Sequence, residues 1–249
     1  MNKELKTALV VGGNGGIGTS TVTQLLNDGF YVVATYNKNK ENLEDISKNH
    51  EYSENFHSIE LNVTSRSEVQ SQLNKIIDLH GSIDVIVLSI SSSYKNIRIF
   101  ELEWSAISDY FENQVKSLYN LYLSLEEQIK KKTKTKFIIL LSDVCFGLPP
   151  KGFAHYVSSK YALLGLAKSL SVELSSFNST VNMISPGMVE TDMLINMPRK
   201  LLEINATQNP FGRNGNPEDI SLIISFLASE KSDYLNGINL PINGGSKII

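Results

Sequence analysis

"TALVVGGNGGIG" runs from Thr7 to Gly18, and its reading decides the fold. The first five residues are apolar or β-branched and do not alternate with polar ones. That is the pattern of a strand buried on both faces, as in a parallel sheet. The strand ends in Gly12, Gly13, Asn14, Gly15, Gly16, Ile17 and Gly18, and a helical pattern follows over residues 16–28. Glycines let backbone approach a pyrophosphate closely, and a helix N-terminus aims its unpaired N–H groups at it. A glycine cluster alone is also the composition of a flexible turn. Placed between a first strand and a first helix, it points to a dinucleotide.

The same alternation continues along the chain. Strand-like runs are "FYVVATY", "FHSIELNV", "DVIVLSI", "KFIILLS", "TVNMISPG" and "GINLPING". Helical patterns lie near residues 41–49, 65–80, 104–131, 155–177 and 217–229. Apolar strands separated by helices predict a doubly wound α/β fold, with a mostly parallel seven-stranded sheet covered on both faces. No Pro/Gly/Ser-rich linker interrupts residues 1–249, so one domain is expected. Residues 190–216 are the least regular stretch and follow a strand end, which makes them a candidate substrate lid.

Composition narrows the function classes. Of 249 residues, 41% are hydrophobic and 20% charged, with a formal net charge of −3, as in a globular protein without a nucleic-acid-binding face. The densest basic run, Lys130 to Lys136, closes a predicted helix, where cations favour the helix dipole. One cysteine, Cys145, excludes a disulfide framework and a cysteine zinc site, and the four histidines show no ligand spacing. The N-terminus lacks a signal-peptide pattern, and no run nears the ~20 apolar residues of a membrane span. A cytoplasmic location is expected by default.

"HYVSSKYALLGLAKSL", His155 to Leu170, carries the chemistry. Tyr156, Lys160, Leu163, Ala167, Leu170 and Leu174 fall on one helix face, so that face should be buried. It nevertheless begins with a phenol and an ammonium one turn apart. A buried lysine is costly unless partnered. A nearby ammonium favours a phenolate, so the pair reads as an acid/base device.

The Gly12, Gly16, Gly18 spacing together with "YVSSK" resembles the short-chain dehydrogenase/reductase family, in its 3-oxoacyl-acyl-carrier-protein reductase type. "LNV" (Leu61 to Val63), "SPGMVETDM" (Ser185 to Met193), "FGRNGNPEDI…FLAS" (Phe211 to Ser229) and "INGG" (Ile242 to Gly245) extend the resemblance from Lys6 to about Gly245. The resemblance implies a Rossmann fold and reduction of a ketone with NADPH. Tyr156 is then the proton donor, and Lys160 also bonds the nicotinamide ribose. Ser142 would hold the carbonyl oxygen, although it precedes Tyr156 by one position more than in the commonest relatives; an earlier gap would put Asp143 there instead. Gln114 falls where relatives carry a relay asparagine, with Asn113 as the neighbouring alternative. Further cofactor contacts are implied at Asn62, Val63, Ser89, Ile90, Pro186, Gly187, Val189 and Thr191.

Strand two ends in "ATYNKNK" with no acid before Glu41. An acid there would bond the ribose 2′-hydroxyl of NAD. Asn37 and Lys38 instead favour NADP over NAD, though a solvated loop would look the same. Val11 stands where relatives have threonine, and Leu88, Ser89, Ile90 and Ser91 replace Asn-Asn-Ala-Gly. Two neighbouring strands thus lose polar groups together, which leaves neither with a widowed donor. Ile90, Tyr94, Val144, Phe146, Leu148, Phe153, Met188, Met193, Leu194 and Met197 are candidate pocket residues for a small-molecule or carrier-bound carbonyl. Arg199, Lys200 and Arg213 would attract an acidic carrier, or are simply solvated charge. Two other readings stay open: an NAD(P)-dependent alcohol or sugar dehydrogenase working oxidatively, and a cofactor-binding protein without catalysis. Apolar coverage around residues 110–129 and the family's habit both suggest a homo-oligomer, tetramer or dimer, with no nucleic-acid or membrane partner.

Overall fold

Leu9 and Val11 of β1 (Thr7–Val11) face one side of the sheet, and Ala8 and Val10 face the other. All four are fully buried, because helices cover both sides. This is why the strand reads as a continuous apolar run. The computed structural model describes residues 5–90, 95–194 and 197–248, with the backbone alone at Met193. The expectations for Ser91, Tyr94 and the Met193 side chain lie outside the described residues.

The chain then alternates through α1 (Gly16–Asn27), β2 (Tyr31–Tyr36), α2 (Glu41–Lys48), β3 (Phe56–Glu60), α3 (Arg66–His80) and β4 (Val85–Leu88). The second half comprises α4 (Trp104–Phe111), α5 (Ser117–Ser124), α6 (Glu126–Lys130), β5 (Lys136–Leu140) and α7 (Ala154–Ser175). It ends with β6 (Thr180–Pro186), α8 (Arg199–Gln208), α9 (Pro217–Ala228) and β7 (Asn239–Ile242). Seven parallel strands form one sheet in the order β3-β2-β1-β4-β5-β6-β7. One core layer packs α3, α5 and α7 on the sheet, and the other packs α1 and α9. Strand order reverses between β1 and β4, which opens a crevice at their carboxyl ends.

Two predicted segments differ in detail. The single helix expected over 104–131 is three α-helices. A π turn, Glu112–Lys116, joins α4 to α5, and after α5 the backbone of Leu125, whose side chain is buried, leaves helical values (φ −103°, ψ 9°). The irregular stretch 190–216 contains α8, none of whose residues is fully buried. A helix resting on a cleft instead of the core has weak apolar periodicity, so its pattern is faint in sequence. A parallel bridge between Val189 and Gly215 closes the base of this excursion.

Candidate active site

A cleft of about 1140 Å³ opens at the carboxyl ends of β1, β4, β5 and β6. Its floor is the glycine turn. Gly12 has φ +81°, and a Cβ there would lie 2.7 Å from the Ser89 carbonyl oxygen. Gly18 is constrained by packing, since its Cβ would meet the Gly12 carbonyl oxygen at 2.2 Å. The turn is tied to β2 through Gly12 N–H, which donates to Thr35 Oγ1 (3.2 Å), and Gly13 N–H, which donates to Thr35 O (2.9 Å). At α1, Gly15 occupies the N-cap without a side-chain cap, and no acid sits in the first turn. A helix start that is uncapped, free of negative charge and open to the cleft suits an anionic pyrophosphate.

Gly12, Gly15, Gly16, Ile17, Gly18, Asn37, Asn62, Val63, Ser89, Ile90, Pro186, Gly187, Val189 and Thr191 all line this cleft. Gly13, Asn14 and Lys38 do not. Gly13 packs beneath, with its Cβ position 2.7 Å from the Ala34 Cβ. Asn14 is turned to α2, where its Oδ1 accepts from Asn42 N–H (3.1 Å) and its backbone oxygen from Asn42 Nδ2 (2.8 Å). Asn14 therefore braces the turn from outside. Lys38 is exposed just past the rim residue Asn37 and makes no ion pair among the described residues.

Ser142, Tyr156 and Lys160 line the opposite wall. Tyr156 and Lys160 lie on the first two turns of α7 and are 4% and 2% exposed. Lys160 Nζ sits 5.8 Å from the centre of the Tyr156 ring. It donates to Gln114 Oε1 (2.9 Å) and to the Leu140 carbonyl oxygen (2.9 Å). Burial pushes the Lys160 pKa down to about 8. Gln114 lies behind Lys160, outside the cleft lining, and its Nε2 donates to Ile90 O (3.0 Å). The π turn supplies the reach: its extra residue per turn swings Gln114 inward. Asn113 lines the cleft, but its amide bonds Asp109 O (2.7 Å).

β5 delivers Ser142 and Asp143 in succession, and both line the cleft. Ser142 Oγ accepts from Val144 N–H (3.3 Å), which starts a short 3₁₀ turn and fixes the hydroxyl at the strand end. Asp143 faces Lys247, whose Nζ donates to Asp143 O (2.9 Å) and lies 3.6 Å from Oδ1. Burial raises the Asp143 pKa, and Lys247 partly opposes the rise. Tyr110 of α4 packs edge-on against the Tyr156 ring, with centroids 6.1 Å apart.

Toward the mouth, Ile90, Val144, Leu148, Phe153, Met188, Leu194 and Met197 make the wall apolar, while Phe146 lies outside it. Arg213 is held by Asp219 through two bonds of 2.6 and 2.9 Å, and Arg199 pairs with Glu203 at 3.2 Å. Their charge is thus already engaged. Thr35, Leu140 O and Lys247 were not legible as site groups. Thr35 and Leu140 read as ordinary strand residues, and Lys247 is brought 104 positions back to Asp143 by β7 and the tail after it. Among the described residues there is no metal-ligand cluster and no helix long and apolar enough to cross a membrane.

A family model described as enoyl-(acyl carrier protein) reductase matches residues 11–247. The chain is 33% identical to the 3-oxoacyl-[acyl-carrier-protein] reductase FabG of Staphylococcus aureus (strain Mu50), over 98% of both proteins. It is 32% identical to FabG of Vibrio cholerae over the full length of each. Among solved structures, ElxO with NADP bound superposes with a TM-score of 0.86 at 25% identity, covering 97% of this chain and 98% of that one. The agreement runs from the glycine turn through to the tail, and it makes this chain a member of the short-chain dehydrogenase/reductase family, an oxidoreductase acting on CH–OH and C=O groups.

Proposed function

We propose that the protein reduces a ketone to a secondary alcohol with NADPH, and that the ketone is carried on a 3-oxoacyl thioester or a similar carbonyl compound. The observation that carries this reading is the Lys160 ammonium, buried at the cleft wall within 5.8 Å of the Tyr156 ring and held by Gln114 and Leu140 O. When bound, the reduced nicotinamide supplies the hydride. The chain's own residues manage the carbonyl oxygen. Ser142 Oγ donates a hydrogen bond to it, and the Tyr156 hydroxyl gives it a proton as negative charge develops. Lys160 favours the resulting phenolate by its charge, and its two acceptors aim that charge at the ring. The glycine turn and the start of α1 would hold the pyrophosphate, and Lys160 would also bond the nicotinamide ribose.

NADP is favoured over NAD because Asn37 lines the rim, exposed Lys38 follows it without an ion pair among the described residues, and strand two ends with no acid before Glu41 to repel a 2′-phosphate. The NADP-bound ElxO supports the same choice. The apolar mouth suits an acyl chain. Tyr161 and Val172 lie on one face of α7 and are 46% and 74% exposed, with Tyr119 on α5 also exposed. These faces would be covered in a homo-oligomer, which light scattering at micromolar concentration tests; a monomer removes that part of the proposal.

The deciding assay follows oxidation of NADPH and NADH with an acetoacetyl thioester and, separately, a crotonyl thioester, in wild type and Tyr156→Phe. NADPH turnover with the keto substrate that vanishes in the variant supports the reading. Turnover of the crotonyl thioester alone moves the reaction to the C=C bond. NADPH binding without turnover of either points to another carbonyl or to a non-catalytic role.

A further inference from the structure

Asp143 brings a carboxylate into the cleft in which the proposed reaction builds negative charge. It directly follows Ser142 at the end of β5, lines the same cleft and is partly buried. An uncompensated carboxylate there would oppose an alkoxide forming beside Ser142 and Tyr156. The structure supplies the compensation from the far end of the chain. Lys247 enters the cleft from the tail after β7, donates to Asp143 O at 2.9 Å and sits 3.6 Å from Oδ1. The tail is held for this: Asn243 Nδ2 donates to Lys247 O (3.1 Å), and Asn209, just past α8, donates to Asn243 O (3.0 Å).

We propose that Lys247 is a positioning residue for carbonyl reduction, acting through Asp143: it neutralises the Asp143 carboxylate and so keeps the carbonyl end of the cleft hospitable to negative charge. The inference rests on the ketone-reductase reading. Among the described residues, Asp143 is coupled besides Lys247 to Cys145 on its own 3₁₀ turn, whose thiol burial holds protonated; Lys160 on α7, which acts on Cys145, has its charge engaged by Gln114 and Leu140 O. Neither replaces Lys247 as counter-ion.

The test compares kcat and the NADPH KM of wild type, Lys247→Met, Lys247→Arg, Asp143→Asn and the double variant Lys247→Met/Asp143→Asn across the pH range in which the wild type is active. Loss of Lys247 raises the Asp143 pKa further, so the defect grows as pH rises and the carboxyl ionises. The expected result is a kcat ratio of Lys247→Met to wild type that falls ~10-fold or more at the alkaline end, with NADPH KM within about two-fold. Lys247→Arg stays near wild type, and adding Asp143→Asn to Lys247→Met restores most of the rate. Wild-type kcat in Lys247→Met at every pH overturns the proposal. So does a double variant no faster than Lys247→Met, because the tail would then act by shape alone. A wild-type protein that reduces no ketone fails earlier, in the assay of the functional reading; an active wild type with an indifferent Lys247 fails only here.

Discussion

Lys160 Nζ and Gln114 Oε1 meet at 2.9 Å although 46 positions separate them in the chain. Gln114 uses both ends of its amide, since Nε2 donates to Ile90 O at 3.0 Å. It therefore links the end of β4 to the lysine beside Tyr156. A buried ammonium keeps its orientation only while its acceptors stay in place.

Gln114→Leu strips Lys160 of one of its two acceptors and leaves Ile90 O without its donor. We expect kcat to fall ~10-fold with a smaller change in NADPH KM, and stability to drop by about 1–3 kcal/mol. Gln114→Asn keeps the amide one methylene shorter and should fall between the two. Steady-state kinetics with urea unfolding reads both effects, and a kcat unchanged in Gln114→Leu would show that Leu140 O alone suffices.

Lys160 gives a pH signature with a definite sign. Its pKa is about 8 in the folded protein against 10.5 unfolded, so between those values the unfolded chain binds more protons. Stability attributable to this group therefore rises with pH across that window, by up to ~3 kcal/mol. Lys160→Met should lose this rise, which urea midpoints at about pH 7 and pH 10 would detect against wild type. Activity runs the other way. As pH passes about 8 the ammonium that supports Tyr156 is lost, and kcat/KM should decline.

Gly16 is tested by its neighbour. A Cβ at Gly16 would meet the Thr191 Cγ2 at 2.8 Å, so Gly16→Ala pushes on the segment that closes the cofactor cleft. NADPH affinity, measured by fluorescence, should fall ~10-fold or more, and Gly16→Ala/Thr191→Ser, which removes that methyl, should recover part of it. If Thr191→Ser recovers nothing, the loss belongs to the α1 start itself.

Val11 and Leu88 are register partners on β1 and β4, and both sit in one apolar layer. A hydroxyl introduced at position 11 faces Leu88 with no polar partner opposite. Val11→Thr should cost about 1–2 kcal/mol, a fall of several degrees in Tm by calorimetry. Unchanged stability would mean that the hydroxyl finds a partner in the cleft and that the paired apolar replacement is incidental.

The elements legible in the sequence are those built from near neighbours. β1, the glycine turn and α1 form one local unit. Tyr156 and Lys160 share a face because they are four residues apart on a helix. The apolar strands announced a sheet covered on both sides, since Leu9 and Val11 bury into one layer while Ala8 and Val10 bury into the other. Periodicity served less well where the backbone departs from it, at the π turn of Glu112–Lys116 and in α8, which buries none of its residues fully.

By itself, then, the sequence determined the α/β alternation, the place of the glycine turn between β1 and α1 and the phenol–ammonium pair, all of which follow from repeats of two or 3.6 residues and from glycine's missing side chain. Tertiary structure alone decided that the Gln114 amide and not that of Asn113 bonds Lys160, because a single extra residue in a helical turn rotates which amide reaches α7. It also decided that Asn14 braces α2, that Thr35 anchors the glycine turn, and that Lys247 returns to Asp143. Those contacts join residues 23 to 104 positions apart, and no local pattern records them. They arise because parallel strands bring their carboxyl ends to one edge, where distant loops must share one cleft.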